Sequence, residues 1–380
     1  MPVNGRIDAS KEIAHRSSQD TEGPIVSASM LELCEDFPVI SKRFEAWWAH
    51  DLIDRPIFLA AANSRPERPI DRRVDLLDQP ERWFEAKYQD MLQLHRRGDM
   101  LPNIRVDFGP VFLSSVFSGE RVFGADTGWT PEYINDEWSN ARWEFSTDQP
   151  WWQKMTRLLE MVSEAAAGRF AVCSPNLGGT GDILLNLRGA TRLNLDVIDQ
   201  PEKVEEALQA IYPAYRQAFL ELNRIPAEKG AELIHWLYLW SSRPYLIAEC
   251  DFCYMIGRKA FERLFLPDIA RQAGAVKRAV YHLDGPGCTR HIDALLGLPE
   301  LDAIQYTPGV ENPSALPWVE MFRKIQAKGK SLLVICPAEE VLALCDELSP
   351  KGLGVLIETP LSVQELDDLY GQFCKKYNSL

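Results

Sequence analysis

The segment "AVYHLDGPGC" (279–288) places a histidine and an aspartate two positions apart, at the end of an apolar run and just before a Gly-Pro-Gly turn. Side chains two apart on a strand point to the same face, so His282 and Asp284 are expected to face one pocket. An imidazole beside a carboxylate suits three roles: ligands of a divalent metal, an acid–base or substrate-binding pair, or a hydrogen-bonded pair that orients the turn at Gly285.

Eight short apolar runs rich in β-branched residues predict the strands that must position this pair. They are 55–62, 103–109, 169–175, 231–240, 279–285, 301–309, 331–337 and 352–359. Helical patterns separate most of them, so a parallel sheet buried on both faces is expected. Eight such strands favour an α/β fold of the closed (β/α)8 TIM barrel type over an open doubly wound sheet.

The same pattern predicts one barrel domain over 26–380, preceded by a loose N-terminal arm, 1–25. About 60 residues separate the second and third predicted strands, and this stretch is rich in tryptophan. Such an aromatic stretch is unlike a disordered linker. We therefore expect an aromatic-rich insertion after strand two that covers the barrel mouth with helical and irregular parts.

In a barrel, the chemistry lies at the C-terminal ends of the strands. The ends of the other predicted strands carry polar or nucleophilic side chains that we take as candidate pocket residues: Asp107, Asn176, Gln305, Tyr306, Cys336 and Glu358. Strand four carries His235, which fits a core histidine better than a ligand. It also carries Trp236, Tyr238 and Trp240, which either line a pocket for a flat aromatic or methylated cationic substrate or simply fill the barrel top.

Four segments resemble the uroporphyrinogen decarboxylase superfamily, over roughly residues 45–375. They are "DRPIFL" (54–59), "VDFGP" (106–110), "GDILLNLRGATRLNLDVIDQPEKVEEAL" (181–208) and "CDFCYMIGRKAFERLFLPDIARQAG" (250–274). The resemblance implies a (β/α)8 barrel, in agreement with the strand count. It also implies that Asp107 and Asp251 are pocket residues, Asp107 with a catalytic role.

This superfamily has two branches with different chemistry. The metal-free decarboxylases have arginines in a "RQAGRY" motif, and this chain has "RPIFLAAANSRPERP" there instead. The other branch contains zinc-dependent methyltransferases that act with a corrinoid protein, and their zinc site is similar to His-x-Cys after strand five plus a cysteine after strand eight. The matching positions are His282, Asp284 and Glu358, so the resemblance implies a carboxylate-rich site for zinc or another divalent metal.

The resemblance therefore implies metal-dependent methyl transfer from a small methylated substrate, with a corrinoid-carrying partner protein and with Asp107, His282 and Asp284 as catalytic residues. One alternative is a metal-free decarboxylase or lyase acting on a carboxylated substrate, in which Asp107 and His282 stabilise a developing charge. Another is a non-catalytic binding protein on the same fold.

Composition narrows the classes of partner and location. The formal net charge of -14 repels phosphate backbones, which argues against nucleic acid. No apolar run approaches the roughly 20 residues of a membrane-spanning helix, and the first 24 residues lack the apolar core of a signal peptide. Eight scattered cysteines without an export signal indicate reduced thiols, so a cytoplasmic protein is expected. The oligomeric state is left open between a monomer and a homodimer.

Overall fold

A computed structural model describes residues 30–63, 76–124, 127–309 and 311–378, so the predicted arm at 1–25 lies outside the described residues. In these ranges the helices are α1 (Phe37–Trp48), α2 (Pro80–Gln93), α3 (Leu113–Ser118), α4 (Pro150–Ala166), α5 (Thr180–Arg188), α6 (Ala190–Asp199), α7 (Pro201–Glu228), α8 (Arg258–Ala260), α9 (Leu266–Ala273), α10 (Gly285–Cys288), α11 (Ile292–Leu296), α12 (Val319–Ala327), α13 (Val341–Glu347) and α14 (Val363–Tyr377). The strands are β1 (Ile57–Asn63), β2 (Leu94–Gly98), β3 (Asn103–Arg105), β4 (Val122–Phe123), β5 (Gly128–Trp129), β6 (Ala171–Cys173), β7 (Glu232–Ile234), β8 (Tyr245–Glu249), β9 (Arg278–Asp284), β10 (Ala303–Thr307), β11 (Ser331–Ile335) and β12 (Leu353–Leu356).

Most strands belong to two sheets that run parallel apart from one edge. The larger has the order β2-β1-β12-β11-β10-β9-β8, with only β2 antiparallel to its neighbour, and the smaller has the order β3-β6-β7. Helices α9, α11, α12 and α13 each lie between two consecutive parallel strands of the larger sheet. Such crossover connections are what parallel pairing requires.

Alternating side chains of these strands are buried on opposite faces, as the sequence predicts for a parallel sheet. One face contributes to an inner cluster that draws on both sheets, including Leu59, Cys173, Ile234, Val280 and Leu333. The other face packs against the helices in an outer layer that includes Phe58, Val172, Tyr281, Ile304 and Val334. A single inner cluster shared by both sheets means that their inner faces are turned toward each other.

The predicted fourth strand, 231–240, is wrong as a single element. Strand β7 stops at Ile234, the chain turns, and Trp240 pairs back to Ile234 in an antiparallel bridge. Tyr238 lies in this turn with a φ of 59°, a conformation that interrupts an extended strand. A separate strand, β8, then pairs with β9 and was not predicted.

Local signals explain where the long helices begin. Helix α7 begins with Pro201, whose fixed φ suits a first helical turn, and it runs to Glu228. Helix α14 begins after Ser362, which accepts a hydrogen bond from the Glu365 amide while the Glu365 side chain accepts one from the Ser362 amide. This reciprocal cap satisfies two of the amide groups that a helix leaves free at its start.

The aromatic stretch after β3 contains α3 and the small β4–β5 hairpin before α4 begins. Its tryptophans make specific contacts: Trp138 stacks under Arg188, with 4.5 Å from the guanidinium carbon to the ring, and Trp152 packs edge-on against Phe145. Trp143 contacts Phe117. The stretch is therefore packed against the rest of the chain.

Two further features of the described residues bear on the sequence expectations. No helix among them combines the length and apolar character needed to cross a membrane. All eight cysteines carry free thiols, and six of them are buried.

Candidate active site

Strand β9 carries His282 and Asp284 at its C-terminal end. The strand stops where Gly285 adopts a left-handed φ of 74°, which a residue with a Cβ adopts only with strain. His282 and Asp284 share the face of Val280, a member of the inner cluster, and His282 lies in register with Gln305 of β10. Both side chains therefore face the inside of the strand layer, as the sequence predicts.

The imidazole of His282 is oriented by a hydrogen bond between its Nδ1 and Gln305 Oε1. The Gln305 amide nitrogen donates to Thr307 Oγ1 at 2.9 Å, so the amide oxygen is the group that faces the ring. With the amide in this orientation the ring donates from Nδ1, and Nε2 is the nitrogen left to a metal ion. A polar group that fixes the tautomer in this way is typical of metal-binding histidines.

Asp251 joins this pair from a neighbouring strand. It is the first residue of a short 3-10 segment, Asp251–Met255, that follows β8, and its Oδ1 lies 4.0 Å from His282 Nε2. About half of its side chain is exposed, 48%. Partial burial raises the pKa of Asp251, the nearby His282 lowers it, and the Asp284 carboxylate raises it further.

Within the described ranges, Asp251, His282 and Asp284 are the group whose ligand atoms could hold a metal ion together, all within 4.8 Å of one another. An ion bound at about 2.0–2.2 Å from each donor would hold them roughly 3–4 Å apart, so only small side-chain movements are needed. One imidazole nitrogen and two carboxylate oxygens suit Zn²⁺ or a similar divalent ion. The donor set therefore fits a divalent metal, with open positions left for substrate.

Two further carboxyl groups lie behind this cluster and were not singled out from the sequence. Asp182, near the start of α5, accepts a hydrogen bond from the Phe252 amide at 3.0 Å, and Glu249, the last residue of β8, accepts one from Asn176 Nδ2 at 3.3 Å. Burial raises the pKa of both carboxyls well above the ordinary range, and the Asp251 carboxylate adds to the effect. This concentration of carboxyls favours a bound cation.

Glu358 belongs to a second polar group, which it forms with Arg105, Asp107 and Tyr238, and not to the three-residue cluster. Among the described residues, the group that could hold a metal ion includes Asp251 and not Glu358. Partial burial raises the pKa of Glu358, while Arg105 and His282 lower it. Glu358 lines a cavity of about 470 Å³ together with Arg105, Asp107 and Tyr238. The structure therefore brings Glu358 near His282 without placing it among the candidate ligands.

Asp107 lies just beyond the C-terminal end of β3 and is almost fully buried, with 8% of its surface exposed. Its Oδ1 accepts a hydrogen bond from the Gly109 amide at 2.7 Å, and its Oδ2 lies 3.8 Å from Arg105 Nε. Asp107 therefore stands with the second polar group, on a different strand from the candidate metal cluster.

The predicted aromatic wall is divided among three environments. Trp236 packs edge-on against the His282 ring, with centroids 4.8 Å apart. Tyr238 borders the 470 Å³ cavity. Trp240 is buried away from both, where its Nε1 donates to Glu232 at 2.8 Å and its ring meets Phe37. Of these three side chains, Trp236 is the one whose ring packs against a residue of the candidate metal cluster, His282.

Of the remaining predicted pocket residues, some lie away from the site and others contact it. Tyr306 lies in the outer layer against Trp318 and Phe322, and Cys336 also packs in the outer layer, where burial raises the pKa of its thiol. His235 is buried behind Trp236 with its Nδ1 bonded to Ser174 Oγ. Gln305 and Asn176 do reach the site, through His282 and Glu249 respectively.

The comparisons with known proteins bear on the fold. No protein-family model matches the chain, and no curated protein sequence matches it. Among solved structures, a methyltransferase from Methanosarcina mazei has a similar structure, with a TM-score of 0.58 and 12% sequence identity, over 88% of this chain and 98% of that chain. At this identity the likeness is one of fold, and the chain therefore shares the fold of a methyltransferase along most of its length.

Proposed function

We propose that this protein transfers a methyl group from a small methoxylated or methylamine substrate to a corrinoid carried by a partner protein, in a reaction that depends on a divalent metal. The observation that carries the proposal is the Asp251–His282–Asp284 cluster, whose three ligand atoms lie within 4.8 Å of one another. The methyltransferase-like fold supports it.

In this proposal the two sheets close into a (β/α)8 barrel over a single domain, related to the uroporphyrinogen decarboxylase superfamily. The inner cluster that both sheets share supports closure, because a barrel interior receives alternate residues from every strand. Strands β7 and β8 together then replace the fourth strand of the regular barrel. The chemistry would lie at the C-terminal ends, where all four candidate strands β3, β8, β9 and β12 bring polar side chains.

Each residue has a definite task in this scheme. His282, Asp251 and Asp284 would hold the metal, which when bound would supply Lewis acidity toward the heteroatom that carries the methyl group. Gln305 keeps the His282 lone pair directed away from β10. Trp236 packs on the imidazole and shields it from water. Asp107 and Glu358 face the substrate from the second polar group, where Glu358, with its raised pKa, can donate the proton that the departing heteroatom needs.

The proposal is tested by metal content and by methyl transfer in the same preparations. Protein purified without chelator should contain close to one equivalent of a divalent metal, and His282→Ala should contain far less. With cob(I)alamin as the acceptor, a panel of methoxylated aromatics and methylamines should yield methylcobalamin in the wild type but not in His282→Ala. A wild-type protein that binds no divalent metal on titration would refute the proposal, and the metal-free lyase would then be the better account.

A further inference from the structure

A break in the strand layer lies beside the candidate metal site. Strand β7 pairs with β6, and β8 pairs with β9, whereas the described contacts between β7 and β8 show no parallel ladder. On the outer side of this break is a cavity of about 730 Å³, between the second half of α7 and the segment 241–245. Its volume lies in the range of pockets that bind organic molecules of moderate size.

The walls of this lateral cavity are largely apolar. They include Phe219, Leu220, Leu233, Pro244, Tyr245 and Val276. The Arg224 guanidinium at its edge is already paired with two glutamates of the same helix. The Tyr245 hydroxyl is also occupied, because it donates to the Leu239 carbonyl at 2.6 Å and accepts from the His235 amide at 2.9 Å. The cavity therefore offers aromatic and aliphatic surface, with the charged side chains Arg243 and Lys277 also among its lining residues.

One residue that lines this cavity, His235, has a polar atom without a partner. His235 is 7% exposed, its ring lies nearly parallel to Phe219, and its Nδ1 is bonded to Ser174. Its Nε2 is buried and has no hydrogen-bond partner. A buried nitrogen left in this state costs free energy that a bound polar atom would recover. Burial lowers the pKa of His235 to about 4, so the ring is neutral near pH 7 and suits a neutral partner.

The lateral cavity also adjoins the candidate metal site. A smaller cavity of about 30 Å³, enough for one or two water molecules, shares Phe219 and His235 with it and is lined as well by Trp236 and Glu249. Trp236 in turn packs against His282. His235 therefore stands between the lateral cavity and the residues that surround the candidate metal ligands.

We propose that the lateral cavity binds a neutral aromatic molecule that carries one hydrogen-bonding oxygen, such as a phenol or an aryl ether. The ring occupies the space between Phe219 and Val276, and the oxygen pairs with His235 Nε2. This site lies outside the metal cluster and needs no metal. A ligand bonded to His235 lies next to Trp236, whose ring packs against His282. We therefore expect ligand binding in the lateral cavity and metal binding by His282 to affect each other.

Calorimetric titration of the full chain tests this site with phenol and 2-methoxyphenol as probes. Both probes should bind saturably, because each has an aromatic ring for the apolar wall and an oxygen for His235 Nε2. Ala227→Trp, at an exposed position that lines the cavity, should weaken binding by about tenfold or more. Gln209→Trp, at an exposed position elsewhere on α7, is the matched control and should leave binding unchanged.

His235→Phe keeps the aromatic ring and removes the nitrogen, so the affinity for phenol should fall roughly fivefold. Circular dichroism melting establishes that each variant is folded. The proposal is overturned if neither probe binds, or if Ala227→Trp or His235→Phe binds as tightly as the wild type. Binding that disappears after EDTA treatment would also overturn it, because the probe would then occupy the metal cluster. Loss of metal binding with probe binding retained would instead refute only the proposed methyl transfer.

Discussion

Replacing Gln305 with leucine should weaken metal binding without removing a metal ligand. The Gln305 amide oxygen is the group that fixes the His282 tautomer, and it is completely buried, so water does not replace it easily. Leucine has a similar size and no acceptor. The imidazole would then turn more freely and place its proton on either nitrogen. Only the tautomer with its proton on Nδ1 leaves the lone pair of Nε2, on the Asp251 side of the ring, available to a metal ion.

Loss of such a supporting group typically lowers metal affinity by about 10–100-fold, which corresponds to roughly 1.4–2.7 kcal/mol. Competition against a chromophoric zinc chelator measures this change. Gln326→Leu is the matched control, because Gln326 is also a buried amide and is bonded to the Ser349 backbone, before the N-terminal end of β12, whereas the site lies at the C-terminal ends of the strands. It should cost stability and leave zinc affinity intact. An unchanged affinity in Gln305→Leu, or an equal loss in Gln326→Leu, would refute the reasoning.

Three further predictions follow from buried groups. Arg188→Met should lower the free energy of unfolding in urea by about 3–5 kcal/mol, because it leaves the buried Asp196 carboxylate without its charged partner. Arg192→Met, which removes a surface ion pair, is the control and should cost less than about 1 kcal/mol. His235 has its pKa lowered to about 4, so the folded state binds its proton less readily than the unfolded chain and stability falls as the pH drops below about 6.5. Between pH 7 and 5 the loss from this group is about 2 kcal/mol, and His235→Phe should lack it when unfolding is compared at both pH values. Ellman's reagent should react rapidly with at most two of the eight thiols, since only Cys34 and Cys374 are incompletely buried; a third fast thiol would contradict the described packing.

The strand pattern was largely readable from the sequence because parallel strands buried on both faces are apolar throughout. What failed was the region of β7 and β8. The apolar run 231–240 has the composition of a single strand. None of its residue types predicts the left-handed turn that the chain makes at Tyr238. Strand β8 directly follows a Ser-Arg-Pro loop and is as long as β10 and β11, which were predicted. It was missed because the run 231–240 already took the place of the fourth of eight strands. Because β8 was not predicted, Glu249 at its C-terminal end was not recognised as a candidate site residue.

The site was predicted where spacing determines which face a side chain occupies. His282 and Asp284 share the parity of the inner residue Val280, so their common direction follows from period two. The same rule would have excluded Cys336, which shares the parity of the outer residue Val334. A position at a strand end does not by itself assign a face. Asp182 could not be recognised, because a glycine-rich stretch gives no sign that the helix it opens reaches a buried carboxyl cluster.

The most direct test of the account is the zinc affinity of three variants compared with the wild type. The geometry makes Asp251 the third candidate ligand, whereas the family resemblance implies Glu358. Asp251→Asn and Asp284→Asn should each lower the affinity by at least about tenfold, because a neutral amide is a poor ligand for zinc. Glu358→Gln should stay within about threefold of the wild type, since Glu358 lies outside the candidate metal cluster. A large loss in Glu358→Gln with an unchanged Asp251→Asn would contradict the proposed metal centre.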